Sequence, residues 1–320
     1  GLIVFVFLMA NNTSTWGLVF IILGLRFFGQ GMLGHISMVF CGKWFFKNKG
    51  KAVAVANSGY TLAEAIMPTI FVALIGLLSW QTSWYVSIIM SILILASVRF
   101  LAKTERNKGT EPQKENQQVG MLKKSWKRSE MLRSWVFWAA VPGLMTSPMI
   151  TTTLFFHQVH LVEIKSWDLS TYVLFIPAYS AATLFSLYLI GYLVDKLSTK
   201  IILPVFLFPL ISGLLLLSIA TSYLELFLIF ILLGLSAGAY IVVYGTFFPE
   251  FFGSLYLGSV RTVGVTIMVF SSAIGPVLSG YFIDLGYLID HQFKFCAAFS
   301  VFASLLFLTI NIRVKLPENA

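Results

Sequence analysis

Charge is scarce in this chain. Asp, Glu, Lys and Arg make up only 11% of its 320 residues, against about a quarter in a soluble domain, while 58% are hydrophobic and the mean hydropathy is +0.86. That balance excludes an ordinary water-soluble domain. Cysteine is scarcer still: Cys41 and Cys296 stand alone, so no disulfide framework and no metal-ligand spacing is available. No G-x-x-x-x-G-K-[ST] stretch is present to cradle a nucleotide phosphate, so any energy input is expected from an ion gradient. Clusters such as paired Asp, His-x-x-x-His or Ser with Lys at membrane depth are also missing, which argues against an intramembrane enzyme; neither a metal nor a cofactor is expected. The apolar runs do not alternate with polar residues over roughly ten positions, as strands of a transmembrane barrel would.

What is present is length. Nine apolar runs can each span about 30 Å of hydrocarbon: Trp16 to Gly42, Ala52 to Leu78, Tyr85 to Leu101, Ser134 to His157, Ser170 to Val194, Ile201 to Ala220, Leu224 to Phe247, Gly258 to Ile283 and Gln292 to Ile312. The fold class expected is an all-α polytopic membrane protein. A tenth run, residues 1 to 10 (GLIVFVFLMA), is about half the length needed to cross and lacks the basic flank and small-residue cleavage site of a signal peptide. It is expected to be a partial helix of an N-terminally truncated chain.

Basic residues alternate with the links between these runs. Of 22 Lys and Arg, 19 fall on one set of alternate links or within four residues of them, Lys165 and Lys294 on or beside the other set, and Arg26 deep inside a run. By the positive-inside rule the first set is cytoplasmic, so the net charge of +9 reports topology and not a nucleic-acid partner. The linker and C-terminus are then cytoplasmic, with Ser79 to Trp84 outside.

Two charges lie near mid-membrane. At 1.5 Å per residue, Arg26 is roughly 15 Å from the start of its run and Glu64 roughly 18 Å from the basic loop KWFFKNKGK. An ion at that depth faces a partner or a water-filled cavity and is a functional candidate by default. Asn57, Thr61, Glu64 and Pro68 are spaced by four, three and four and form one helical stripe. Counted at the same period, Arg26, Gln30 and Ser37 share a stripe, opposite Gly24, Phe28, Gly31 and His35. His35 is read as a structural hydrogen-bonded residue, with proton handling as the alternative.

Residues 102 to 133 divide the chain. The polar part, KTERNKGTEPQKENQQVG, is expected to be disordered, and MLKKSWKRSEMLRSW to lie as an amphipathic helix at the membrane surface. The parts on either side repeat: Gly50 and Pro68 are offset by 208 residues from Gly258 and Pro276 across six helix steps, as in a parallel duplication. Units of six helices are implied. The domains expected are 1–101, the remainder of the first bundle (a partial third helix and helices four to six); the linker 102–133; and 134–320, the second bundle (helices seven to twelve). Roughly 80 residues would then be missing ahead of residue 1, at about 20 residues per helix plus loops.

GYLVDKLSTK, carrying Gly191, Leu193, Asp195, Lys196 and Lys200, resembles the G-x-L-x-D-R-x-G-R-R loop of the major facilitator superfamily, departing at Leu197-Ser198, where that family often has a Gly-Arg pattern. LRFFGQG (Leu25 to Gly31) is similar to its R-x-x-Q-G signature, with Gly29 and Gln30 in swapped order. With ANSGYTLAEAIMP and the FFHQVHL run ending at Leu161, the chain looks like the prokaryotic branch near the monocarboxylate and oxalate/formate carriers. It lacks the Asp and Arg that monocarboxylate carriers place in helix eight, here Ser170 to Val194.

The resemblance implies a monomeric secondary transporter in a prokaryotic inner membrane. It would bathe in lipid, bind a small-molecule substrate between its two bundles and couple to a proton or another ion. The candidate substrate and proton-coupling residues are Arg26, Gln30, Asn57, Thr61 and Glu64. The candidate gating residues are Asp195, Gly191, Lys200, Arg261 and Glu250. Asp195 is expected to approach the start of the Glu64 helix, whose free N–H groups favour a carboxylate. Arg261 is expected to find its nearest acid in Glu250. A non-transporting receptor or scaffold on the same fold is the alternative, and vesicle uptake would separate the two.

Overall fold

The structure is a computed structural model and describes residues 1–45, 48–107, 119–122 and 124–314. The polar stretch 108–118, Lys47 in the basic loop and the C-terminal tail from 315 lie outside the described residues. Every regular element among the described residues is helical. In chain order these are α1 (Leu2–Ala10), α2 (Thr15–Leu25), a π-helical segment (Arg26–Leu33), α3 (Gly34–Trp44), α4 (Lys49–Leu77), α5 (Trp80–Asn107), α6 (Arg128–Met131) and α7 (Trp135–Phe156). There follow α8 (Gln158–Ile164), α9 (Leu169–Val173), α10 (Ile176–Leu197), α11 (Thr199–Ile202), α12 (Phe208–Ile219), α13 (Tyr223–Phe252), α14 (Leu257–Asp284) and α15 (Ile289–Arg313).

Seven helical stretches among the described residues are long and apolar enough to cross a membrane: Thr15–Trp44, Trp80–Phe100, Trp135–Phe156, Thr171–Leu197, Tyr223–Phe252, Leu257–Asp284 and Ile289–Arg313. One run expected to span is not among them. α4 has 29 residues, and three side chains in its second half, at 68, 69 and 72, lie outside the described residues. The run from 201 to 220, expected as one helix, is broken into α11 and the 12-residue α12 by turns at 203–207. Pro204 sits in that break, where it removes a backbone donor.

The contacts divide the chain into two compact units, Gly1–Ser37 with Ile66–Asn116, and Met38–Ala65 with Gln117–Ala320. In the first, α1 packs on α5 and α2. Gly24 gives α2 this close approach, since a Cβ there would meet the Phe5 ring. The Tyr85 hydroxyl donates to Asn11 Oδ1 at 2.7 Å.

In the second unit α10 lies along α13 and α7 along α14, while α12 rests on α13 and α15 and α15 reaches back to α7. Small residues set these crossings, as they do where helices associate without a hydrophobic driving force. A Cβ on Gly238 would meet the Thr183 carbonyl, and one on Gly275 would come within 2.5 Å of the Met149 carbonyl. Large aromatics fill the remainder, with Phe230, Phe247, Phe251 and Phe307 fully buried.

The stretch 119–134 is not the surface helix expected. Helix forms over four residues only, and the chain docks on the end of α13. The Met121 and Trp126 amides donate to the carbonyls of Glu250 (2.8 Å) and Phe252 (2.9 Å), and Met131 is fully buried. Backbone carbonyls at the end of α13 need donors, and this segment supplies them.

Candidate functional site

A helix start leaves N–H groups without intrahelical partners, and α4 starts at Lys49-Gly50-Lys51. The Asp195 carboxylate fills that vacancy. Its two oxygens accept from Gly50 N at 2.7 Å and Lys51 N at 3.0 Å, from near the end of α10. Negative charge at a helix N-terminus is favoured by about 0.3–1 kcal/mol. The approach needs glycine on both sides: a Cβ on Gly50 would come within 2.2 Å of the Gly191 carbonyl, and one on Gly191 within 2.9 Å of the Gly50 carbonyl. Lys51 and Lys196 both lie over the Tyr192 ring, at 5.9 and 4.8 Å.

A second connection lies beside the first. Lys49 Nζ is 2.8 Å from Glu250, with side-chain exposures of 13% and 4%. The same carboxylate accepts from Thr199 N at 3.0 Å, and the Thr199 hydroxyl is 2.6 Å from its other oxygen and 2.7 Å from the Thr246 hydroxyl. Glu250 is thus a buried acid with a cation and two further donors, the condition under which a buried ion is tolerated. It does not serve Arg261 as expected. That position is taken by Lys49, which the charge pattern alone had assigned to topology.

Arg261 is 3% exposed, lies 5.0 Å over the Tyr244 ring and donates to the Gly245 carbonyl at 3.4 Å. Its Nε has no partner among the described residues. Lys200 is buried in α11, its amide donating to the Ser198 hydroxyl at 3.2 Å. Ser198 has φ +80° and ψ 149°, a region that only glycine enters without strain. It is the residue at which the loop departs from the family pattern, and that departure was the signal in the sequence for this turn.

The mid-helix candidates are arranged differently. Arg26 opens the π segment and is exposed, its amide donating to the carbonyls of Ile22 and Leu23. Because π winding adds residues to each turn, the stripe Arg26, Gln30, Ser37 counted at 3.6 residues does not carry through it. The side chains of Gln30 and Pro68 lie outside the described residues. On α4, Thr61 is buried and Asn57 half-buried, and both bond back to their own helix, Asn57 Nδ2 to Val53 O at 2.7 Å and Thr61 Oγ1 to Asn57 O at 3.3 Å. Glu64 on the same stripe is exposed and makes no hydrogen bond or ion pair among the described residues.

Seven apolar helical stretches of spanning length among the described residues define a polytopic integral membrane protein. The family model described as Major Facilitator Superfamily matches residues 1–260, and the chain belongs to that family, whose members are membrane transporters that bind small-molecule substrates. A search of the curated proteins found no match.

Proposed function

We propose that this protein is a secondary active transporter that moves a small organic anion across the membrane by alternating access, with the proton as its coupling ion. Glu64 carries this reading. It is an acid in the middle of a long helix, exposed, on a stripe with Asn57 and Thr61, and it has no partner among the described residues, whereas Glu250 and Asp195 are fully bonded. A carboxyl without a permanent cation can gain and lose a proton as its surroundings change.

In this scheme Glu64 takes the proton and Arg26 attracts the anion. Asn57, Thr61 and Gln30 are the further residues assigned to substrate and proton coupling. The bundles are 1–101 and 134–320, joined by 102–133, and they rock about a substrate site between them. Asp195 on the α4 amides, the Gly191–Gly50 contact, and the Lys49–Glu250 pair with Lys200 close by form a latch on the cytoplasmic side, formed in one state and released in the other. Arg261 belongs to the same end. The protein acts as a monomer in a plasma membrane, the prokaryotic inner one on the strength of the branch it resembles.

Uptake of a panel of labelled organic anions into vesicles holding the full-length protein tests this. An inward proton gradient is expected to drive accumulation of at least one of them, and a protonophore to abolish it. No gradient-driven uptake across the panel, with the protein folded and inserted, would overturn the reading.

A further inference from the structure

At the end of the second unit where α14 hands over to α15, the two helices part and leave a crevice of about 620 Å³ floored by α7. Its volume falls in the roughly 300–1,000 Å³ range of sites that enclose a ligand. The walls are Leu278 and Phe282 on α14, Phe295 and Phe299 on α15, and Met149 and Ile150 on α7. The polar groups within it are already bonded: Ser279 Oγ donates to Gln292 Oε1 at 2.7 Å, and Thr153 Oγ1 to Met149 O at 2.7 Å. A polar solute would find little to hold there, and an apolar chain would lose nothing by entering.

The mouth differs from the walls. Exposed Tyr287 lines it, a residue type enriched where a membrane meets water. His291 lines it, and Lys294 follows three residues later on α15, next to Phe295. Lys165 and Lys294 are the two lysines on or beside the sparsely charged set of links. Lys165 is bonded to Asp290 at 2.9 Å, whereas Lys294 is exposed and has no ion pair among the described residues. Lys294 and Asp284, the last residue of α14, both stand outside the lining residues.

We propose that this crevice is a lipid site that takes one acyl chain of an anionic phospholipid, with the phosphate held at the mouth by the Lys294 ammonium and a hydrogen bond from His291. The apolar walls select a chain, and the cation beside them, without an ion pair among the described residues, selects a negative headgroup.

The full-length protein in nanodiscs, probed with a phosphatidylglycerol bearing a photoreactive acyl chain, gives the test. Cross-links are expected to concentrate on Leu278, Phe282, Phe295 and Phe299. Unlabelled phosphatidylglycerol should displace the probe about five-fold better than phosphatidylcholine with the same chains, the preference that about 1 kcal/mol per surface cation confers. Lys294→Gln, at an exposed position, should remove that preference while leaving cross-linking in place. Leu278→Trp should fill the crevice and cut labelling at Phe295 with the melting temperature unchanged. Labelling spread evenly over the lipid-facing helices would mean annular lipid only and would overturn the site; so would equal displacement by the two headgroups, or displacement by a transported solute and not by lipid.

Discussion

Glu250 on α13 and Glu64 on α4 are both carboxylates on long apolar helices. Glu250 is 4% exposed and holds a lysine, an amide and a hydroxyl at 2.6 to 3.0 Å. Glu64 is exposed, and no described residue bonds to it. The first is tied to Lys49 and Thr199, so it suits holding two chain segments together. The second has no bonded partner among the described residues to lose, so proton, solute or water decides its state. Position along the helix goes with this division: the bonded acid lies two residues from the end of α13, and the other lies in the middle of α4.

Breaking the bonded side should have the largest effect. Glu250→Ala strands a lysine that is 13% exposed, and losing one member of a buried pair costs about 3–5 kcal/mol. A large fall in the melting temperature of the purified protein is expected, with Glu250→Gln falling less because the amide still accepts from Thr199. Unchanged melting in Glu250→Ala would mean that the pair holds nothing.

Gly50→Ala sharpens the comparison by moving backbone and leaving every charge in place. Its Cβ would sit 2.2 Å from the Gly191 carbonyl, so α4 and α10 must part and the Asp195 bonds must lengthen. Overpacking of this kind costs about 1–3 kcal/mol. A cysteine placed at Lys51 should become more reactive toward a soluble thiol reagent in this background. Equal reactivity in the Gly50→Ala and parent backgrounds would show that the two connections do not depend on the glycine contact.

Ser198→Gly should act in the opposite direction and least. It relieves a φ of +80° that costs a non-glycine residue about 1–3 kcal/mol, and gives up one cap hydrogen bond from the Lys200 amide worth a few tenths as Ser to Gly. A gain of about 1 kcal/mol is expected in thermal unfolding, and a loss would show that the hydroxyl matters more than the strain.

Much of the helical layout was legible from apolar run length, because a segment in hydrocarbon must satisfy its own backbone. The loop acid Asp195 could be placed near the start of α4 from its motif and from the free amides there; whether the contact gates transport is part of the proposal. Three features were not legible. The π segment at Arg26–Leu33 escapes a search at 3.6 residues per turn, although Gly24, Gly29 and Gly31 crowd around it. The Lys49–Glu250 pair joins residues 201 positions apart, and several loop lysines were equally available, so only the register of α4 on α13 selects one. The docking of 119–134 follows from carbonyls at the end of α13 that need donors, which charge and apolar pattern do not reveal.

The central claim is that Glu64, without a bonded partner among the described residues, carries the proton. Glu64→Gln in the full-length protein should abolish accumulation driven by a proton gradient yet leave solute exchange, with no gradient imposed, within about two-fold of the parent, a change of about 0.4 kcal/mol. Its melting temperature should stay the same, since no bond is lost. Gradient-driven accumulation at the parent's rate and pH dependence in Glu64→Gln would contradict the account.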